Sequence, residues 1–137
     1  EAIDAASSGD SIDFSVTETI NLSSGHLIIN QDNIIGPGAS DLTLQGGSRA
    51  FPLRSGTINI SGLTITGGNE TGNGGGILLM GTSPSLNLAD SVVTGNSAKE
   101  GGGISTRTSG SLTIVDSIIS DSTATEKWFK ICPKFTW

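Results

Sequence analysis

The feature that most constrains this chain is an internal repeat. Gly74-Gly75-Gly76-Ile77 returns one period later as Gly101-Gly102-Gly103-Ile104. A matching segment precedes each block: Ile58-Asn59-Ile60-Ser61-Gly62-Leu63-Thr64-Ile65-Thr66-Gly67 and Leu86-Asn87-Leu88-Ala89-Asp90-Ser91-Val92-Val93-Thr94-Gly95. A third copy runs Leu112-Thr113-Ile114-Val115-Asp116-Ser117-Ile118-Ile119-Ser120-Asp121. Aligned, they form apolar columns: Ile58/Leu86/Leu112, Ile60/Leu88/Ile114, Ile65/Val93/Ile119 and Ile77/Ile104. The step from Ile58 to Leu86 is slightly longer than the step from Leu86 to Leu112. An excess of one residue over the period of the glycine blocks falls in the loop Gly67 to Asn73.

Within each copy the apolar positions alternate, which is strand periodicity with one face buried. Gly, Asn, Asp and Ser separate the short strands, as turns require. A unit of this size cannot bury its apolar face alone. Stacked units bury a continuous core and pair each strand with its counterparts above and below. The expected fold is therefore all-β, a right-handed parallel β-helix of four to five coils spanning residues 1–126. The leucine-rich signature of the alternative horseshoe repeats is missing.

The first half has the same texture. Ser11 to Val16, Thr19 to Leu22 and His26 to Ile29 alternate, and Asp41-Leu42-Thr43-Leu44 follows the turn Gly36-Pro37-Gly38. Ala2-Ile3-Asp4-Ala5-Ala6 suits a short capping helix over the open N-terminal end of the core.

Composition narrows the function. The chain has 137 residues, enough for one core, and a net charge of −6. Up to Glu126 there are four basic and thirteen acidic residues, and Lys127, Lys130 and Lys134 then add three positive charges. An acidic chain repels phosphate backbones, so nucleic acid is not an expected partner. With Cys132 as the single cysteine, no internal disulfide can form. No stretch is apolar for long enough to span a bilayer. A start at Glu1 with neither initiator Met nor signal peptide is expected of a mature or excised segment.

The run Leu63-Thr64-Ile65-Thr66-Gly67-Gly68-Asn69 with Gly74-Gly75-Gly76-Ile77, and its echo Val92-Val93-Thr94-Gly95-Asn96 with Gly101-Gly102-Gly103-Ile104, resembles secreted bacterial β-helix repeat proteins. These are the polymorphic outer membrane protein type and autotransporter passenger-like adhesins. The opening Ala2 to Ala6, Gly9 to Phe14 and Ile34-Ile35-Gly36-Pro37-Gly38-Ala39 is similar to the amino-terminal edge of such domains. The resemblance covers residues 2 to 125. It implies an extracellular or cell-surface location and an adhesive or scaffolding role, and it supplies no catalytic residues. The chain departs from the pattern in its shortness, the lack of a membrane anchor and its foreign tail.

Polysaccharide lyases and hydrolases also use β-helices, so carboxylate pairs matter. Asp90 and Asp116 align in successive coils, where strand spacing would place them about 5 Å apart. A pair so placed could bind a cation, but Asp is also an ordinary turn residue, and Gly62 holds the position in the preceding copy. Arg107 lacks a groove to act in, and His26 reads as a surface residue. Asn69 and Asn96 are assigned to equivalent turns, with Ser122 near the third, as an amide ladder satisfying turn carbonyls. The glycine blocks lack the Lys-Ser/Thr of a phosphate loop and read as tight turns. Ice binding would need a flat threonine array. Thr66/Thr94/Ser120 forms one column, but its neighbour Thr64/Val92/Ile118 does not continue it. Asn21-Leu22-Ser23, Asn59-Ile60-Ser61 and Asn69-Glu70-Thr71 match the glycosylation pattern, which an Asn/Ser/Thr-rich chain produces by chance.

Residues 127–137, Lys-Trp-Phe-Lys-Ile-Cys-Pro-Lys-Phe-Thr-Trp, hold both Trp residues and the only Cys. Phe129, Ile131, Pro133, Phe135 and Trp137 fall on one face of a strand, and Pro133 argues against a helix and for a sheet edge. Three readings stand for Trp128, Phe129, Ile131, Phe135 and Trp137: a cap over the C-terminal coil, a strand docked on a neighbouring molecule, or a foreign remnant. The functional expectation is an extracellular structural or adhesive module without cofactor or catalytic activity. Its partners would be a surface glycan or protein receptor, or further copies joined through the coil ends or tail. The alternatives are a fragment of a polysaccharide-processing enzyme and an ice-binding solenoid.

Overall fold

A computed structural model describes residues 7, 9–23, 25–27, 29 and 33–126. Every regular element among them is a strand. The capping helix expected over residues 2–6 and the tail at 127–137 lie outside the described residues. In chain order the strands are β1 (Ser11–Asp13), β2 (Thr19–Leu22), β3 (Asn33–Ile35), β4 (Thr43–Gly46), β5 (Phe51–Ser61), β6 (Thr64–Thr66) and β7 (Ile77–Ala89). They continue with β8 (Val92–Thr94), β9 (Ser97–Ala98), β10 (Ile104–Thr106), β11 (Leu112–Val115), β12 (Ile118–Ser120) and β13 (Thr123–Ala124).

All pairings are parallel and each joins one coil to the next. One sheet runs β1-β3-β5-β7, with β10 and β11 pairing the two halves of β7. A second runs β2-β4-β6-β8-β12, and β9 with β13 forms a third side. The result is a β-solenoid of about four turns.

The core is a set of vertical columns, because alternation along each strand sends every second side chain inward. Ile12, Ile34, Ile60, Leu88 and Ile114 stack through the first sheet. Ile20, Leu44, Ile65, Val93 and Ile119 stack through the second. Phe51, Ile77 and Ile104 form another column, alongside Ile29, Leu53 and Leu79. The three columns aligned from the repeat are in the observed register, as is the Ile77/Ile104 step. One of the extra residues lies between the bridges Asn69–Ser97 and Asn73–Glu100, within the expected loop, and a second lies between Leu79 and Leu86, opposite Thr106 to Leu112.

The glycine blocks combine two demands. Gly74 and Gly101 bend the chain with φ of +68° and +59°, where an L side chain is strained. Gly75 is needed for space: a Cβ there would lie 2.4 Å from the Ser97 carbonyl oxygen and 2.5 Å from that of Gly102. Coils therefore pack backbone to backbone at this corner, and the blocks serve as tight turns.

Candidate functional site

The outward positions of the first sheet carry a ladder that the repeat alignment did not single out. Asn33, Asn59 and Asn87 stack in register between the inward columns, with Asn59 exposed and its two neighbours half-buried. The Asn59 amide donates to Asn33 Oδ1 at 2.6 Å, and the Asn87 amide donates to Asn59 Oδ1 at 2.7 Å. Asn33 Nδ2 reaches Ser11 Oγ at 3.3 Å, and Thr113 continues the row beyond Asn87. Each amide has two donors and two acceptor sites, and the ladder uses one of each from Asn59. The remainder face outward at the strand repeat of about 4.8 Å. The signal for this ladder was present in the repeat, since Asn59 and Asn87 sit between paired apolar columns.

The expected ladder of Asn69 and Asn96 needs a correction of one residue. Asn69 bridges to Ser97, so Gly68 is what stands beside Asn96. The longer of the two repeat steps holds through this corner, whereas the equivalence of Asn69 with Asn96 assumed a step one shorter. Asn69 Oδ1 accepts from Ser97 Oγ at 2.9 Å on the surface. Asn96 is buried and turns inward. Its Oδ1 accepts from Gly68 N–H at 2.9 Å, and its Nδ2 donates to the carbonyls of Thr94 (2.9 Å) and Ile65 (3.2 Å). Ser122 fills the same role one coil on, where its Oγ accepts from Asn96 N–H at 3.4 Å. Ser91 and Ser117 act likewise at the preceding corner, accepting from Leu63 N–H and Ser91 N–H. These corner side chains satisfy backbone donors that no strand reaches, which burial would otherwise penalise.

Asp90 and Asp116 both sit at a left-handed corner with φ of +46°, the place that Gly62 holds with φ of +66°. Asp tolerates this conformation better than most side chains. Both are exposed, and Asp90 N–H donates to the Val115 carbonyl at 3.2 Å. Among the described residues no group of three or more His, Cys, Asp or Glu is placed to hold a metal ion.

A second polar cluster lies beside the Gly74 corner. Arg49 reaches across to the next coil, where its Nε donates to the carbonyls of Gly74 (2.9 Å) and Asn73 (3.2 Å). Its guanidinium also pairs with Glu70 at 3.4 Å. Glu70 accepts from Ser48 Oγ and from Arg49 N–H. The Ser48 hydrogen bond holds the Glu70 carboxyl below its ordinary range, against the opposing effect of burial; Arg49 and, less strongly, His26 add to the lowering. Asn73 bonds Glu100 above it, and Arg107 Nη1 approaches Asn73 Oδ1 at 3.4 Å. So Arg107 and His26, unrelated in sequence, border the same edge. The arrangement ties three coils together, and its charges are spent largely on one another and on backbone carbonyls.

The second sheet turns a mixed face outward. Thr19, Thr43 and Thr64 share a column that ends in Val92 and Ile118. The Thr64 hydroxyl donates to the Ala39 carbonyl at 2.7 Å, and Thr94 bonds Ser120 at 3.0 Å. Ile118 is 60% exposed. Among the described residues no helix is long and apolar enough to cross a membrane. No family model, curated protein or solved structure matches this chain.

Proposed function

We propose that the chain is an extracellular, cell-surface structural or adhesive module on a right-handed parallel β-helix of the autotransporter-passenger kind. The observation that carries this reading is the outward-facing Asn33–Asn59–Asn87 ladder on a parallel sheet. It offers uncharged donor and acceptor pairs at a fixed repeat, flanked by the short side chains of Ser61 and Ala89. Regularly spaced amides suit the hydroxyl groups of a surface glycan, and they bind through many weak contacts held in register. Right-handed winding is the rule for parallel crossovers.

The test is binding of the labelled chain to an array of neutral and acidic glycans, with Asn59→Asp and Asn87→Asp beside it. The expected result is retention that both variants weaken at least about tenfold, the effect of losing about 1.4 kcal/mol of contact. Unchanged retention in both variants would remove the ladder from the binding surface. Release of cleaved product from acidic polysaccharide would replace the adhesive reading with the enzymatic one.

A further inference from the structure

The column beside the asparagine ladder has a profile of its own. It holds Asp13, Ile35, Ser61, Ala89 and Val115, one residue per coil on the outward face of the first sheet. Ile35 is 41% exposed and Val115 50%. Between these two apolar side chains stand Ser61 and Ala89, which reach little beyond the backbone. Three coil steps separate Ile35 from Val115, about 14 Å at the usual strand repeat. The face therefore carries a shallow recess, with an apolar wall at each end and a floor of Ser61 and Ala89. Asn59 and Asn87 border it on one side, two residues before Ser61 and Ala89 on the same strands. The opposite rim is the left-handed corner of Gly62 and the exposed Asp90 and Asp116.

We propose that this recess takes the acetamido group of an uncharged, N-acetylated glycan. The inference rests on the adhesive reading of the ladder and names the ligand class for it. Chemical complementarity carries it. An acetamido group presents one N–H donor, one carbonyl acceptor and one methyl. Asn59 keeps one N–H and one acceptor site beyond the bonds it makes to Asn33 and Asn87. An incoming amide continues the amide-to-amide pattern already present in the row, where hydrogen bonds polarise one another. Its methyl then lies over Ala89 and against an apolar wall, taking exposed apolar surface out of water. A hydroxyl in the same place bonds the ladder but brings no methyl to the walls.

Charge sets the other limit. The exposed Asp13 closes one end of the column, and Asp90 and Asp116 line the corner beside it. A carboxylate or sulfate on the ligand would meet like charge there, so the fitting glycan is neutral. None of the residues in the two columns is aromatic. Recognition therefore falls on the substituent rather than on stacking of the sugar ring.

The test measures binding of the full chain to oligomers of N-acetylglucosamine and to oligomers of glucose with the same linkage and length, which differ at the acetamido group alone. The expected result is at least about tenfold tighter binding of the acetylated oligomer, the discrimination that one well-seated methyl group supplies. Ala89→Leu fills the recess while leaving Asn59 and Asn87 in place, and should abolish the preference. Val115→Ser removes one wall and should lower it several-fold. Both side chains face outward, and urea denaturation checks that each variant keeps the fold. Equal binding of the two oligomers would overturn the acetamido assignment and leave the adhesive reading standing. An unchanged preference in both folded variants would overturn the recess as its site. Acidic glycans bound in preference to both oligomers would overturn the neutral ligand class. Binding of no glycan at all would overturn this inference and the adhesive reading together.

Discussion

The first two coils and the later ones share their core columns but turn the same corner differently. The two columns are close in sequence at Ile60/Ile65, Leu88/Val93 and Ile114/Ile119. They are further apart at Ile12/Ile20, and furthest at Ile34/Leu44. The short corner is a left-handed residue at Gly62, Asp90 or Asp116, and from Ser91 onward a serine follows whose hydroxyl satisfies the backbone of the coil before. The wide corner at 36–42 is closed by its own turn, with Asp41 and Leu42 both donating to the Gly38 carbonyl. It buries Leu42 and leans on the next coil through Gly38 N–H to Gly62 O and Thr64 Oγ1 to Ala39 O. Column spacing is thus a property of the whole stack, while each corner solves its backbone hydrogen bonding locally. Insertions are tolerated at the corner because they leave the columns in register.

If columns rather than corners carry the stability, the largest loss should come from a fully buried column residue. Phe51→Ala is expected to cost about 3–5 kcal/mol, read by urea denaturation. Ile12→Ala, at the less enclosed end of its column, should cost less, and an equal loss would break the distinction. Next comes the short corner itself. A Cβ on Gly62 would lie 2.4 Å from the Gly36 carbonyl oxygen, in a left-handed conformation. Gly62→Ala should therefore cost about 2–4 kcal/mol from overpacking and backbone strain together. The exposed Asp90→Gly should change stability by less than about 1 kcal/mol. A large loss in Asp90→Gly would assign that carboxylate a role beyond the turn.

Asn96→Ala leaves Gly68 N–H without its partner in a buried corner and should cost about 1–3 kcal/mol. Asn59→Ala removes only amide bonds on the outer face and should cost less than half as much in the same denaturation series. The smallest effect concerns acid. Glu70 is lowered in the folded chain from its ordinary value of 4.5, chiefly by the Ser48 hydrogen bond. Its contribution is therefore complete above that value and is lost as pH falls through the lower folded value. Stability measured downward from pH 5 should decline less steeply in Glu70→Gln than in the parent chain, with about 0.2–1 kcal/mol between them at neutral pH.

The repeat made the columns legible because inward side chains recur with fixed chemistry, as Ile60, Leu88 and Ile114 do. The left-handed corner was legible too, since Gly62, Asp90 and Asp116 are residues that accept positive φ. Asn96 was found by type but matched to the wrong neighbour, because an aligned glycine, Gly68, carries no side chain to mark its place. The Arg49–Glu70 cluster was not legible at all. Its members are far apart in the chain, outside the repeated segments, and meet only when coils stack.

The amino-acid order by itself determined that this chain winds as stacked parallel strands, because alternation along the strand and recurrence at a nearly constant period admit few other ways to bury Ile, Leu and Val. Only the tertiary structure decided which polar side chains face in and which face out. Asn59 and Asn96 are the same residue type, the first between Ile58 and Ile60 and the second between Gly95 and Ser97. One stands on a strand's outward parity, exposed beside another amide, and the other sits at a corner where an unpaired N–H draws it into the core. That choice depends on the register between coils, a distance that no single segment of the chain contains.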